Sequence, residues 1–470
     1  LYTAVWLYSL IDAGKTTTQA LVSPAMVSGT VYREPGCMLN FRCLPALSGL
    51  LLASVAGAAI TEVDLDAATA AIQPRVIEWR RDLHQHPELS NREVRTSAFV
   101  AKQLRALGLE VKTGVGLTGV AAVLRGKLPG PTIGLRADMD ALPVTEQVSL
   151  PFKSTATTQF RGESVGVMHA CGHDAHTAML LGVAEILAAR RDQLQGQVLF
   201  IFQPAEEGAP EGETGGASRM MAEGLFDIAQ PEAVFGLHVI ASLPTGVIGY
   251  RSGPMMAGSD SFTINVQGRQ THGSRPWGGV DPIVTAAQII SGLQTIVSRQ
   301  VDITAIPAVI SVGAIKGGVR FNIIPDTVEM IGTIRTFDKE VRTDIINRME
   351  RTVKNIAAAN GASATLSVRD SAIPPVVNDP QLTQRSLPAL ERVAGKDNVR
   401  LISLQTTAED FSFYGTRVPS LFFWVGITPP DRDANTAAFN HSPLFYVDEK
   451  GMQTGMRAML AVATSYLAGK

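Results

Sequence analysis

The sequence predicts an α/β protein built on a mostly parallel sheet and interrupted by an inserted ferredoxin-like βαββαβ unit. Two observations carry this expectation. From about residue 60 to residue 257, short apolar runs alternate with stretches whose apolar residues recur at helical spacing, the pattern of helices crossing between parallel strands. After about Gly258 the order changes to strand, helix, two strands, helix and strand, enough to fold as a unit of its own. The 470-residue length exceeds a typical single core, so two domains are expected.

The first sixty residues differ from the rest. Residues 1–37 show no clear periodicity and read as an extension or a mis-set start. Met38 opens MLNFRCLPALSGLLLASVAGAAIT, in which Arg42 precedes an apolar stretch and then the small residues Ala56 to Ala59. Charged start, apolar middle and small-residue end are the order of a secretory signal peptide, so 38–59 is expected to direct export to the periplasm or the medium. The run is too short and too rich in Ala, Gly and Ser for a membrane span, and no stable membrane anchor is expected. The alternative is a buried amphipathic N-terminal helix. Cleavage near Ala59 would remove Cys37 and Cys43 and leave Cys171 as the one thiol, which in an oxidising compartment must be buried, ligated or exposed to oxidation.

The elements then follow in order. Helical spacing covers Ala68 to Leu107, broken at LHQHPELS. Strands are expected at GVAAVLRG, PTIGLRADMDALP, QVLFIFQP and AVFGLHVI, with a helix over TAMLLGVAEILAARRDQL. These make a first catalytic segment, 60–257. The insert, 258–370, runs from SFTINVQG through the helix DPIVTAAQIISGLQTIVSR, the strands AVISVGAIKGG and TVEMIGTIRTF, and the helix VRTDIINRMERTVKNIAAAN to ATLSVRD. A second catalytic segment, 371–470, contains PSLFFWVGI and a final helix near MQTGMRAMLAVATSYLA.

The formal net charge of −2 and the absence of a long basic run supply no electrostatic footprint for nucleic acid, so a small-molecule or peptide partner is expected. The chemistry is concentrated in MHACGHDAHTAM, which holds His169, Cys171, His173 and His176. Cys171 and His173 lie two apart, and in an extended segment both would face one ion. Thiolate with imidazole suits Zn²⁺ and its neighbours. The alternatives are a cysteine nucleophile with its base, or polar residues of a helix start capped by Asp174. In QVLFIFQPAEEG, Glu206 and Glu207 would point to opposite sides of a strand end, one toward metal and one toward substrate; a solvated loop pair is the alternative. His238 and His441 are weak signals separately. Together with the others they make the mixed donor set of a two-metal hydrolytic site, although spacing alone does not bring them together.

At this point the chain resembles the dinuclear-metal aminoacylase and carboxypeptidase superfamily, in the branch of hippurate hydrolases and of hydrolases of auxin–amino acid conjugates. The resemblance runs from about Ile72 to Ala468 through RRDLHQHPELS, GLRADMDALP, MHACGHDAH, FQPAEEG, GLHV, THGSRPWGGVDP, FNIIPD, GTIRTFD, TAEDFS and FNHSPLF. It implies two divalent metal ions per subunit (Zn, Mn, Co or Ni) held by Cys171, His173, Glu207, His238 and His441. It also implies Glu206 as general base toward a metal-activated water, and Asp138 as a catalytic-site carboxylate orienting a ligand. Cys171 is then a ligand, not a nucleophile.

The resemblance further implies that His272 polarises the substrate carbonyl, in many relatives from a neighbouring subunit, and that Asn322 and Arg335 meet the substrate carboxylate. Structural alternatives stay open for both, a turn for Asn322 and a sheet-face ion pair for Arg335. Arg136 stands two residues before Asp138, where many relatives carry a metal-binding histidine, and arginine cannot ligate. Trp277 replaces a common histidine and would line the pocket or pack at the domain junction. Glu409 and Asp410 fall in a signature near the pocket, with a helix N-terminal pair as the plain alternative. His84, His86, His169 and His176 are expected to make supporting hydrogen bonds. The implied activity is hydrolysis of the amide bond of N-acyl amino acids, with the insert as lid and homodimer surface. The alternatives are a carboxypeptidase or dipeptidase with the same machinery, and a non-catalytic exported binding protein.

Overall fold

The computed structural model describes residues 60–369 and 372–469. The signal peptide expected over 38–59, the extension 1–37, Cys37, Cys43 and the boundary at 370–371 lie outside the described residues.

An eight-stranded sheet runs in the order Glu110–Val115, Gly119–Arg125, Gln195–Gln203, Leu128–Asp138, Ala233–Pro244, Ser420–Thr428, Ile248–Tyr250, Val399–Leu401. The four central strands are mutually parallel; Gly119–Arg125 and Ile248–Tyr250 join them antiparallel, Glu110–Val115 is antiparallel to Gly119–Arg125, and Val399–Leu401 is parallel to Ile248–Tyr250. Parallel strands are covered on both faces, so they read as continuous apolar runs; all nine residues of Ser420–Thr428 are buried. On one face the helices Glu62–Gln85, His173–Ala188 and Glu449–Leu467 close a core around Val76, Leu181, Phe200, Phe235 and Met456. On the other, a smaller core gathers Ile201, Met220, Phe411, Phe422 and Trp424. Asp138, Gln203 and the turn holding Glu206 and Glu207 lie at the C-terminal ends of neighbouring parallel strands, where open α/β sheets present their ligand sites.

The second sheet is antiparallel throughout, in the order Val309–Gly317, Thr327–Thr336, Gly258–Gln267, Ser363–Val368. Buried residues alternate along Gly258–Gln267, so one face packs on the helices Pro282–Gln300 and Lys339–Ala359 through Phe262, Ile264, Ile289, Leu293 and Met349. Asp281 and Asp338 start these helices by accepting from backbone N–H groups of the first turn.

Several elements carry no apolar signal in the sequence. The strand Glu110–Val115 and the hairpin Thr157–Phe160 with Glu163–Gly166 are mostly exposed, so no apolar run announces them. The helix expected over TAMLLGVAEILAARRDQL begins four residues earlier, at His173, and stops at Ala188.

The start of that helix is anchored from below. Arg80 donates Nε–H to Asp174 Oδ2 at 2.7 Å, His84 Nδ1 meets the same oxygen at 2.8 Å, and His84 Nε2 lies 3.2 Å from Glu146 Oε1. All four side chains are buried. Burial pushes the Asp174 carboxyl up, but Arg80 and His84 outweigh it and hold it far below its ordinary value. Asp174→Ala leaves the buried Arg80 guanidinium with Glu449, at a longer 3.4 Å, as its one carboxylate contact among the described residues, and is expected to cost about 3–5 kcal/mol. Urea denaturation of the metal-free protein measures this; a change under about 0.5 kcal/mol would show that the ion pair is not what mounts the helix.

Candidate metal centre

Cys171 and His173 converge for a different reason from the extended spacing expected. Gly172 between them is left-handed, with φ 96°, and His173 already begins a helix. A Cβ at Gly172 would lie 2.3 Å from Val239 Cγ2, so only glycine fits this turn. The turn aims Cys171 Sγ at His238 Nε2, 3.3 Å away. His238 sits inside the Ala233–Pro244 strand, with Nδ1 2.7 Å from the Val239 carbonyl. His173 Nδ1 lies 2.9 Å from the Asp140 carbonyl and 3.1 Å from Asp140 Oδ1. A carbonyl can only accept, so Nδ1 of each ring carries hydrogen and Nε2 is the nitrogen turned inward as a ligand.

The glutamates do not part to opposite sides. They lie in a turn after the strand, beyond Ala205 at φ 52°, and Glu206 Oε2 and Glu207 Oε1 are each 3.9 Å from His173 Nε2. His441, also at positive φ (74°), brings Nε2 to 3.1 Å from Glu207 Oε1. Non-glycine residues in this region are strained by about 1–3 kcal/mol each, and two of them cluster here. Ligand atoms of Cys171, His173 and His238, of Cys171, Glu207 and His441, and of His173, Glu206 and Glu207 lie in each case within 4.8 Å of one another.

These residues fit divalent ions. His173 Nε2 is buried without any hydrogen-bond partner, and Glu207 Oε1, although 3.1 Å from His441 Nε2, is not aligned for a hydrogen bond with it, which is costly unless something else binds them. Burial, then Glu207 and Glu206, push the Cys171 thiol well up. Burial, then Glu409 and Glu207, do the same to Glu206. Burial lowers His173, but Asp138 and Asp140 outweigh it and raise it to about 10. Without a cation the cluster therefore retains protons on groups whose lone pairs a metal needs.

Asp138 lies beneath the cluster, with Oδ1 2.6 Å from His176 Nδ1 and Oδ2 3.8 Å from His173 Nε2. Arg136 takes no part as a ligand. Its buried guanidinium donates to Asp138 Oδ2 at 2.6 Å, Glu409 Oε1 at 2.8 Å, Asp410 Oδ1 at 3.3 Å and Gln203 Oε1 at 2.9 Å. Glu409 and Asp410 are thus counter-charges of Arg136 more than a helix N-terminal pair. Asp140 and Asn440 were missed. Asp140 Oδ2 accepts from Ser90 Oγ–H and from the Glu207 backbone N–H, and Asn440 Nδ2 donates to the Cys171 and Val239 carbonyls. Asp140 had a signal, since it alternates with Asp138 along RADMD.

The remaining candidate residues lie at varying distance from the cluster within one subunit. His272 and Asn322 do not line the cavity of about 470 Å³ onto which Cys171, Glu206, Glu207, His238 and His441 open. They sit together on the ribbon Thr271–His272 with Ile323–Ile324, and exposed His272 accepts from Ser274 at Nδ1. Arg335 does line the cavity, half-buried and without an ion pair among the described residues. Trp277 is 75% exposed and forms neither pocket wall nor junction. His84 and His176 make the supporting bonds expected, His86 bonds the Asp82 carbonyl at the surface, and buried His169 has no partner for either nitrogen.

Residues 134–465 match the model of peptidase family M20/M25/M40. The chain is 40% identical to thermostable carboxypeptidase 1 of Saccharolobus solfataricus over 84% of its own length and 96% of that protein. It is 39% identical to N-acetylcysteine deacetylase of Bacillus subtilis over 85% and 97%. The crystal structure of a dinuclear metal binding peptidase of the M20 family from Bacillus subtilis superposes with a TM-score of 0.69 at 36% identity, covering 85% of this chain and 99% of that one. This chain belongs to peptidase family M20/M25/M40 and is a metal-dependent hydrolase.

Proposed function

We propose that the protein hydrolyses the amide bond of N-acyl amino acids, with two divalent ions held by Cys171, His173, Glu207, His238 and His441 and with Glu206 as general base. The observation that carries this reading is the unpaired Arg335 guanidinium in the same cavity as the donor cluster. A lone half-buried cation there suits the carboxylate of a substrate whose scissile amide reaches the cluster. When bound, the ions polarise the carbonyl and lower the pKa of water. Glu206 then takes a proton from that water and returns it to the leaving amine nitrogen. Its position at the cluster, with Oε2 3.9 Å from His173 Nε2, suits it to both steps. Asp138 holds His176, Arg136 restrains the neighbouring acids, and Asp140 fixes the His173 ring.

The same anchor suits the C-terminal residue of a short peptide, and the carboxypeptidase relative supports that second reading. A panel of N-acyl amino acids and dipeptides separates the two. Export through segment 38–59 belongs to the same proposal and rests on its charge-then-apolar-then-small order.

We infer in addition a homodimer through the insert, in which His272 and Asn322 serve the partner's cavity. Support comes from Val319 and Phe321, more than 90% exposed beside that ribbon, at 97% and 95%.

Glu206→Gln is expected to keep its metal by elemental analysis while kcat falls about 10²–10⁴-fold. Cys171→Ala is expected to lose metal; full metal content with normal turnover would refute its place among the ligands. Metal binding near neutral pH should release protons from His173 and the Cys171 thiol, so affinity climbs with pH. Calorimetry in buffers of different ionisation enthalpy reads this, and a pH-independent affinity would contradict it. Mixing Glu206→Gln with His272→Ala subunits should restore turnover that neither has alone, whereas additive residual rates would place His272 outside the partner's site.

A further inference from the structure

A second cavity, of about 820 Å³, shares Glu207 and Gly208 with the cavity that holds Arg335. Its walls come from four places in the chain: the loop after the first helix, residues 141–143 after Asp138 and Asp140, residues 156–161 around the strand Thr157–Phe160 with Val167, and the turn 207–211. Leu89, Leu142, Pro143, Phe160 and Pro210 present apolar surface to it. Its charged residues are largely engaged. Arg92 pairs with Glu213, Glu88 accepts from the Arg95 and Thr96 backbone N–H groups, and Arg161 lies over the Phe160 ring. Arg161 has no ion pair among the described residues, but it is exposed and lies over the Phe160 ring, whereas Arg335 is half-buried.

A substrate with one scissile amide has two ends. The carboxylate is attached to the carbon next to the amide nitrogen, so an Arg335 anchor keeps the amino-acid end in the smaller cavity. The acyl end leaves the carbonyl carbon in the other direction. From the glutamate pair, the space that adjoins is the apolar cavity beyond Glu207 and Gly208. An acetyl group would fill little of about 820 Å³, a volume in the range that takes whole small ligands.

We propose that this second cavity is the acyl subsite, and that it selects long aliphatic or aromatic acyl groups over acetyl. The inference rests on the N-acyl amino acid reading above. Phe160, on an exposed hairpin away from the donor cluster, sets the selectivity by closing over the acyl chain.

The test uses the metal-loaded full chain and a series of N-acyl derivatives of one amino acid: acetyl, butanoyl, hexanoyl, octanoyl and benzoyl. In the wild type, kcat/KM is expected to rise about threefold per added methylene. Phe160→Asp should lower the octanoyl-to-acetyl ratio about tenfold, and Phe160→Leu should recover most of it. Melting midpoint and metal content verify that both variants are folded and loaded. Turnover of the series with a ratio that Phe160→Asp does not move, or that Phe439→Ala in the smaller cavity moves as far, would overturn the acyl subsite and leave the hydrolase reading standing. Absence of turnover on every N-acyl substrate, with dipeptides cleaved, would overturn that reading and the acyl subsite with it.

Discussion

One carboxylate ties the two halves of the donor cluster together. Asp140 holds the His173 ring with its backbone carbonyl and Oδ1, and the Glu207 backbone N–H with Oδ2. His173 opens a helix and Glu207 lies in the turn after a strand, so without this bridge the imidazole and the carboxylate would be set by elements free to shift independently. The same bond leaves Nε2 facing the cluster. Second contacts of this kind commonly decide ligand orientation as much as the ligands themselves. Gly172 and Ser90 add to the arrangement from either side, one by allowing the left-handed turn, the other by sharing the Asp140 oxygen.

The cluster is also defined by a surplus of buried negative charge. Arg136 is the fixed cation beneath it, and Asp138, Glu409 and Asp410 all contact it, with Glu206 close enough to Glu409 and Asp410 for the three to form a ligand-sized group. With Arg136 as the fixed cation, burial raises the proton affinity of Glu206, Glu409 and Asp410, which leaves a need for further positive charge. Divalent ions meet that need, which joins the chemistry of the site to the stability of its walls. An arginine where many relatives place a metal-binding histidine therefore has a physical role: it supplies positive charge from below while the ligands gather around the cations above.

How much of this was legible depended on range. The parallel core and the βαββαβ insert could be read because each strand and helix carries its own apolar period, from Gln195–Gln203 to the two insert helices. Glu110–Val115 could not, because a nearly exposed edge strand has no such period. Cys171 and His173 were identifiable as residue types, yet the cause of their convergence is a glycine at positive φ, not strand alternation. His238 looks like any histidine in an apolar strand, and His441 lies 270 positions after Cys171. Only the ordered motifs joined them before the fold did. Asp140 was hidden in plain alternation with Asp138, and Asn440 beside His441 gives no local sign that its amide spans two carbonyls.

The position of His441 bears on how the protein is made. It comes close to the end of the chain, after the whole insert, and it reaches Glu207 only because the last catalytic segment returns to the first sheet. A ribosome-bound fragment lacking that segment has the cysteine, two histidines and the glutamate pair, but not the residue that completes the Cys171–Glu207–His441 triad. That grouping is thus assembled only after the chain beyond His441 has been made, so a truncated chain lacks it.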